Sequence, residues 1–259
     1  MNRWMRTRWL WALILTMGIG GCVAGRGRHE ETHTQQGPGM EAAYIHDHVI
    51  VDGWLDEEVW KQAKVYHLGL ANDQAALGKQ VQEAGSVRLV WDDQYLYVAV
   101  EFEDVDIVAE GQSDQLPHFQ FGDLCEVFLK PEKETWYWEL YVTPHSRMSS
   151  YWFPGRGRFG LPSNFQYSCG LRVAAKVDGS INNWRDKDAR WTAEMAMPLR
   201  DLTAHGETFG PGSSWRILVA RYNYSRYRSE RGPELTMTPS LSETNFHMLE
   251  EYTPLRLVR

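Results

Sequence analysis

The stretch Ser86–Asp104, SVRLVWDDQYLYVAVEFED, decides the fold. Val87, Leu89 and Trp91 alternate with Arg88 and Val90, Asp92-Asp93-Gln94 interrupts, and Leu96, Val98, Val100 and Phe102 then alternate with Tyr95, Tyr97, Ala99, Glu101 and Glu103. Side chains of a pleated strand point to opposite faces in turn, and a short acidic connection tolerates the backbone angles of a tight turn. The stretch therefore predicts a β-hairpin, with Leu96, Val98, Val100 and Phe102 toward a core and the tyrosine and glutamate face toward water or a neighbour.

Working outward, the same alternation recurs. Asp123–Leu129 (DLCEVFL) puts Leu124, Glu126 and Phe128 opposite Cys125, Val127 and Leu129. Trp136–Thr143 (WYWELYVT) puts Trp136, Trp138, Leu140 and Val142 opposite Tyr137, Glu139, Tyr141 and Thr143, and Met148–Phe153 reads as its hairpin partner. Leu171–Val177, Trp191–Met197, Trp215–Tyr222 and Leu255–Val258 continue the series, and His48–Gly53 (HVIVDG) is a short β-prone piece. Leu55–Ala63 reads as a brief helix, capped by Asp56, with Glu57 and Glu58 at its positive end and Val59, Trp60 and Ala63 plugging onto a sheet. Pro154–Pro162 is a turn cluster. Many short strands without a long helical period or a repeat predict an all-β chain, an antiparallel β-sandwich of jelly-roll-like form with a short N-terminal helix.

The first forty residues stand apart. Arg3, Arg6 and Arg8 precede the apolar run Trp9–Gly18, which is too short for a comfortable membrane span and reads as an export signal. Ile19-Gly20-Gly21-Cys22 closes it and resembles the lipobox of bacterial lipoproteins, which implies a signal over residues 1–21, lipidation of Cys22 and anchoring in the bacterial cell envelope. Val23 in place of an aspartate points to the outer membrane. Residues 22–40 mix Gly, Pro, Gln and charge with few bulky apolar residues, as a flexible tether does; His29 and His33 within it read as solvated. The domain proper is expected over residues 41–259.

Without the three signal arginines, 24 basic residues face 34 acidic ones, a net charge near −10 that disfavours nucleic acid. Nine tryptophans lie beyond the signal, suited to a sandwich core and equally to stacking on sugar rings. Cys125 and Cys169 remain once Cys22 is acylated, and whether they pair is left open, because a bond needs Cα atoms within about 7 Å.

The order of motifs resembles the family 9 carbohydrate-binding modules. The resemblance rests on Val51-Asp52-Gly53 with Leu55-Asp56-Glu57 and Trp60; on Val87-Arg88-Leu89, Trp91-Asp92-Asp93 and Tyr95-Leu96-Tyr97-Val98; on Gly122-Asp123 with Glu126-Val127-Phe128-Leu129; on Trp191, Glu194 and Pro198-Leu199; and on Asn245-Phe246-His247 before Tyr252 and Leu255. It implies a jelly-roll-like sandwich of about ten strands and a non-catalytic slot. In that slot the end of a saccharide or polysaccharide chain is held between two aromatic rings, with a carboxylate binding its hydroxyls. The ligand-binding residues it implies are Phe119 or Phe121, Glu126, Glu139, Tyr141, Phe246 and His247. Two departures stand out: phenylalanines flank Gln120 where the resemblance implies a tryptophan, and Glu139 and Tyr141 stand where it implies an arginine and an asparagine. Implied partners are the glycan, the membrane through Cys22, and glycan-degrading enzymes, with no cofactor.

Other chemistries are weighed beside this one. Glu126 and Glu139 are the candidate pair of a glycoside hydrolase. Asp104 and Asp106 are candidates for a structural calcium ion, although two carboxylates do not make a six-to-eight-oxygen cage. His145, Met148, His247 and Met248 are candidate haem ligands, in a chain without CxxCH. A structural or interaction protein with a degenerate slot is the remaining alternative. There is no GxSxG elbow, Gly-rich phosphate loop or CxxC pair.

Overall fold

The computed structural model describes residues 39–156, 165–166, 169–228 and 231–259. The readings of an export signal, a tether and Cys22 fall outside them, apart from the last two residues of the tether. The elements run β1 (Met40–Tyr44), α1 (Glu58–Gln62), β2 (Tyr66–His67), α2 (Asn72–Ala76), β3 (Gly85–Trp91), β4 (Tyr95–Glu103), β5 (Leu124–Pro131), β6 (Tyr137–Val142), β7 (Met148–Phe153) and β8 (Phe165–Gln166), followed by β9 (Arg172–Asp178), β10 (Arg190–Pro198), α3 (Leu199–Leu202), β11 (Trp215–Asn223), β12 (Glu234–Thr238) and β13 (Thr253–Val258). Single-turn helices lie at His118–Gln120 and Leu249–Glu251. The chain is mostly strand, with few and short helices.

All thirteen strands belong to one hydrogen-bonded sheet, ordered β8-β7-β6-β5-β11-β13-β1-β3-β4-β10-β9, with β12 beside the second half of β11 and β2 beside β3. Two antiparallel runs are thus joined by β1, which is parallel to both β13 and β3. This corrects the purely antiparallel expectation, and it raises the strand count above ten. Met40, read from the sequence as the last residue of the tether, is buried and pairs with Leu255 as the first residue of β1. The sheet curls round one interior until β6 comes within 8 Å, Cα to Cα, of β9 and β10, giving a nearly closed, barrel-like body.

The inward faces are those given by alternation. Leu96, Val98, Val100 and Phe102 meet Cys125, Val127 and Leu129, Trp138, Leu140 and Val142, and Trp191 and Met195 in one core. Cys125 and Cys169 are free thiols, which resolves the open pairing against a disulfide.

The outward face of the hairpin meets a neighbour, one of the two surroundings expected for it. Tyr97 and Ala99 are fully buried, because α1 and the segment before it cover them with Val49, Trp60 and Ala63. The plug therefore exists, but α1 starts later than expected and Asp56 does not cap it: Glu57 holds the cap position without a side-chain cap bond. Residues 48–53 form no strand either. Asp52 and Gly53 instead donate their N–H groups to Glu194 on β10, both at 2.9 Å. Gly53 lies at φ +88°, and a Cβ there would stand 2.7 Å from the Ala175 backbone carbon, so the loop lies flat on β9 only as glycine.

Candidate functional site

β5 and β6 pair with Glu126 opposite Tyr141 and Phe128 opposite Glu139, so both glutamates and Tyr141 share the outer face of the sheet. On the other side of β5, Ala220 of β11 stands opposite Glu126, and the small side chain leaves space above it. The entry to β5 is fixed by Gly122, at φ +139°, where a Cβ would meet the Val108 carbonyl oxygen at 2.1 Å. It is fixed too by Asp123, whose carboxylate accepts from the N–H groups of Val108 and Tyr224 at 2.7 and 2.6 Å. The turn His118–Gln120 brings in Phe119, whose carbonyl accepts the Tyr224 hydroxyl at 2.6 Å. The segment before the last strand lays Phe246 and His247 over Phe128, with ring centroids 6.2 and 5.7 Å away. The Tyr252 hydroxyl pins it by donating to the Phe246 carbonyl at 2.6 Å.

Six of the seven residues singled out from the sequence therefore line one cavity of about 270 Å³: Phe119, Glu126, Glu139, Tyr141, Phe246 and His247. That is just below the roughly 300–1,000 Å³ of pockets for drug-sized ligands. Phe121 is the exception. Its N–H closes the turn on the His118 carbonyl and its own carbonyl accepts from Glu110, so its side chain leaves beside Gly111, away from the cavity. Of the two phenylalanines that the sequence left open, Phe119 lines the cavity and Phe121 does not.

Four lining residues were missed: Tyr222, Leu235, Thr244 and Asn245. Tyr222 bridges Phe119 and Phe246, 6.1 Å from the first ring and 5.7 Å edge-on from the second. Its strand was legible from alternation, but only the β5–β11 register brings it here. A second hollow of about 410 Å³ shares Leu235 and Thr244 with the cavity and adds Gln74, Gln80 and Gln82.

Burial dominates the electrostatics. Glu126 is held well above the usual carboxylate range by burial and then by the neighbouring Glu139 charge. Burial pushes Glu139 up to about 7, opposed by the hydroxyl of Tyr141, which donates to its Oε1. The other oxygen, Oε2, is buried without a partner. Burial, and then the charge of Arg156, lowers the pKa of His247, whose Nδ1 lies 2.9 Å from the Tyr137 hydroxyl.

The alternative chemistries meet obstacles. Asp104 pairs with Arg221 and Asp106 with Arg226, so arginines take the carboxylates considered for calcium. Of the candidate haem ligands, His247 is engaged by Tyr137 and the Met248 sulfur faces the Ser242 hydroxyl at 3.7 Å. No cluster of three or more His, Cys, Asp or Glu side chains able to hold a metal ion occurs among the described residues. No helix among them is long and apolar enough to cross a membrane.

The nearly closed sheet thus carries an aromatic and carboxylate cavity on its outer face. Residues 51–143 match the family model described as "Carbohydrate family 9 binding domain-like", which takes in the hairpin, Glu126, Glu139 and Tyr141. Solved structures of similar fold include two. One is a putative carbohydrate-binding protein from Bacteroides uniformis ATCC 8492, 12% identical, covering 85% of this chain and 99% of its own, with a TM-score of 0.65. The other is a family 9 carbohydrate-binding module from Caldicellulosiruptor kristjanssonii in complex with glucose, 14% identical, covering 85% of this chain and 96% of its own, with a TM-score of 0.50. At these identities the likeness is one of fold. No curated protein matches.

Proposed function

We propose that the cavity is the binding slot of a non-catalytic saccharide-binding module. The observation that carries this is the convergence of Phe119, Glu126, Glu139, Tyr141, Phe246 and His247, drawn from four separate stretches of chain, on one small concave site. Aromatic rings cover the apolar C–H faces of a sugar, and buried carboxylates accept from its hydroxyls. The size suits a chain end rather than a strand lying across the surface, and the adjoining hollow with its glutamines offers the rest of the glycan a way out.

A non-catalytic role fits the placement of the two glutamates. A glycosidase needs its carboxyl groups on either side of the scissile bond, about 5–10 Å apart. Glu126 and Glu139 project from one sheet face, with the Tyr141 hydroxyl acting on both. The test is a glycan array followed by calorimetry. Binding that disappears in Glu126→Gln, with melting preserved, supports the slot; silence across mono- and oligosaccharides favours a structural or interaction protein, and accumulating reducing sugar would overturn the non-catalytic reading.

The proposal extends to location. Export by residues 1–21, a tether over 22–40 and lipidation of Cys22 would place the module in the bacterial cell envelope, at the outer membrane, beside enzymes that break down polysaccharide. Cys22→Ala should abolish incorporation of labelled palmitate and move the protein from the membrane to the soluble fraction; unchanged fractionation would refute the anchor.

A further inference from the structure

The slot is unbalanced in charge. Glu126 and Glu139 set two carboxyl groups, 2% and 5% exposed, on one wall, and no lysine or arginine lines the cavity among the described residues. His247 is no counter-charge, because its pKa is lowered and Tyr137 occupies its Nδ1. Arg156, whose charge acts on it, pairs with Glu250. The tyrosines around the pair, Tyr137, Tyr141 and Tyr222, all have raised pKa values and stay neutral. Meanwhile the buried Oε2 of Glu139 has no partner at all.

Hydroxyl groups of a neutral sugar would bond these oxygens only while the pair retains a proton, because two like charges in a low-dielectric site repel. A positive charge answers both needs at once. We propose, on the reading of this cavity as a saccharide slot, that its preferred ligand is an amino sugar with a free, protonated amine, whose ammonium group is held by Glu126 and Glu139 while its ring packs against Phe119 and Tyr222. An ammonium carries three donors and no acceptor, which matches a pair of carboxylates with an unused oxygen. In the empty slot the raised pair keeps a proton, so the arriving ammonium replaces it and a proton leaves to solvent.

The experiment is titration calorimetry at pH 7 with D-glucosamine, N-acetyl-D-glucosamine and D-glucose, and with D-galactosamine against D-galactose, each in two buffers of different ionisation enthalpy. The free amines should bind at least about tenfold tighter than their acetylated or neutral counterparts, as expected for hydrogen bonds to charged groups. Their heat should depend on the buffer, reporting the released proton. In Glu139→Gln, which keeps the shape, the preference should shrink to about twofold and the proton release should vanish. Equal affinity for amino and neutral sugars, binding confined to sugars without a free amine, or an unchanged preference in Glu139→Gln would overturn the inference and leave the saccharide slot standing. Silence from every sugar would overturn both.

Discussion

Glu194 on β10 and the Glu126–Glu139 pair on β5 and β6 are carboxyl groups of nearly equal burial with opposite surroundings. Glu194 accepts from the N–H groups of Asp52 and Gly53 at 2.9 Å and from the indole of Trp60 at 2.8 Å, and so fastens the loop and α1 to the sheet. Burial still outweighs these donors and pushes it up to about 7. Glu139 has a single donor, Tyr141, and a free oxygen beside a cavity. A buried carboxylate whose acceptors are all used holds a protein together, whereas one with acceptors to spare is kept for something else. The two halves of the sheet thus divide the labour, one face covered by the plug and the other left concave.

The largest effect should come from breaking the satisfied side. Glu194→Ala leaves two buried donors unpaired, the Gly53 N–H and the Trp60 indole, together with the partly buried Asp52 N–H, at about 1–3 kcal/mol for each buried donor, so urea unfolding should show a loss of about 3–5 kcal/mol. A loss below about 1 kcal/mol would mean that the loop is not fastened there. Trp60→Ala should cost a similar amount, about 3–5 kcal/mol, by emptying the site under α1. Sugar binding by the folded fraction should survive both.

The pH dependence sharpens the contrast next. The folded pKa values of Glu126, Glu139 and Glu194 are raised above that of a free glutamate, so the folded state binds more protons than the unfolded one. The stability they contribute is complete below about pH 4.5 and is lost as pH rises through about 7. The ligand-free protein should therefore be less stable at pH 8 than at pH 5 by on the order of 2–3 kcal/mol from Glu139. Glu139→Gln should flatten that part of the slope and be neutral or stabilising at pH 8. A steeper loss in Glu139→Gln, followed by denaturation at each pH, would show that the pair is structural. The smallest effect is expected of Phe119→Ala: its ring is half-buried at the rim, so stability should change by less than about 1 kcal/mol. Sugar affinity should nevertheless fall about tenfold, as loss of one stacking ring implies.

Most of the strands were legible because alternation is a local property. The division of β4, β5, β6 and β10 into two faces follows from period two alone, and with it the shared side of Glu139 and Tyr141; the β5–β6 register brings Glu126 to the same side. Neighbours set by register were not legible: nothing in Trp215–Tyr222 says that Tyr222 will stand between Phe119 and Phe246. β12 was missed because five residues, ELTMT, offer too little alternation, and β1 because MEAAY follows a polar tether and takes its meaning from distant partners. His48–Gly53 misled for the converse reason: its backbone donors go to side chains instead of a neighbouring strand, Ile50 to Glu57 and Asp52 and Gly53 to Glu194.

The parallel strand β1 carries a consequence for how the molecule comes into being. It unites the two antiparallel runs by pairing Met40 with Leu255 and Tyr44 with Trp91, so the first strand of the domain is held by the last. Contacts that span the whole chain form late and make folding slow, because the intervening loop must be closed before they return anything. A chain emerging from its N-terminus cannot seal this sheet until its final residues are free. It stays unsealed until residues 253–258 have been synthesised, and truncation after Tyr252 would leave β1 without its partner β13.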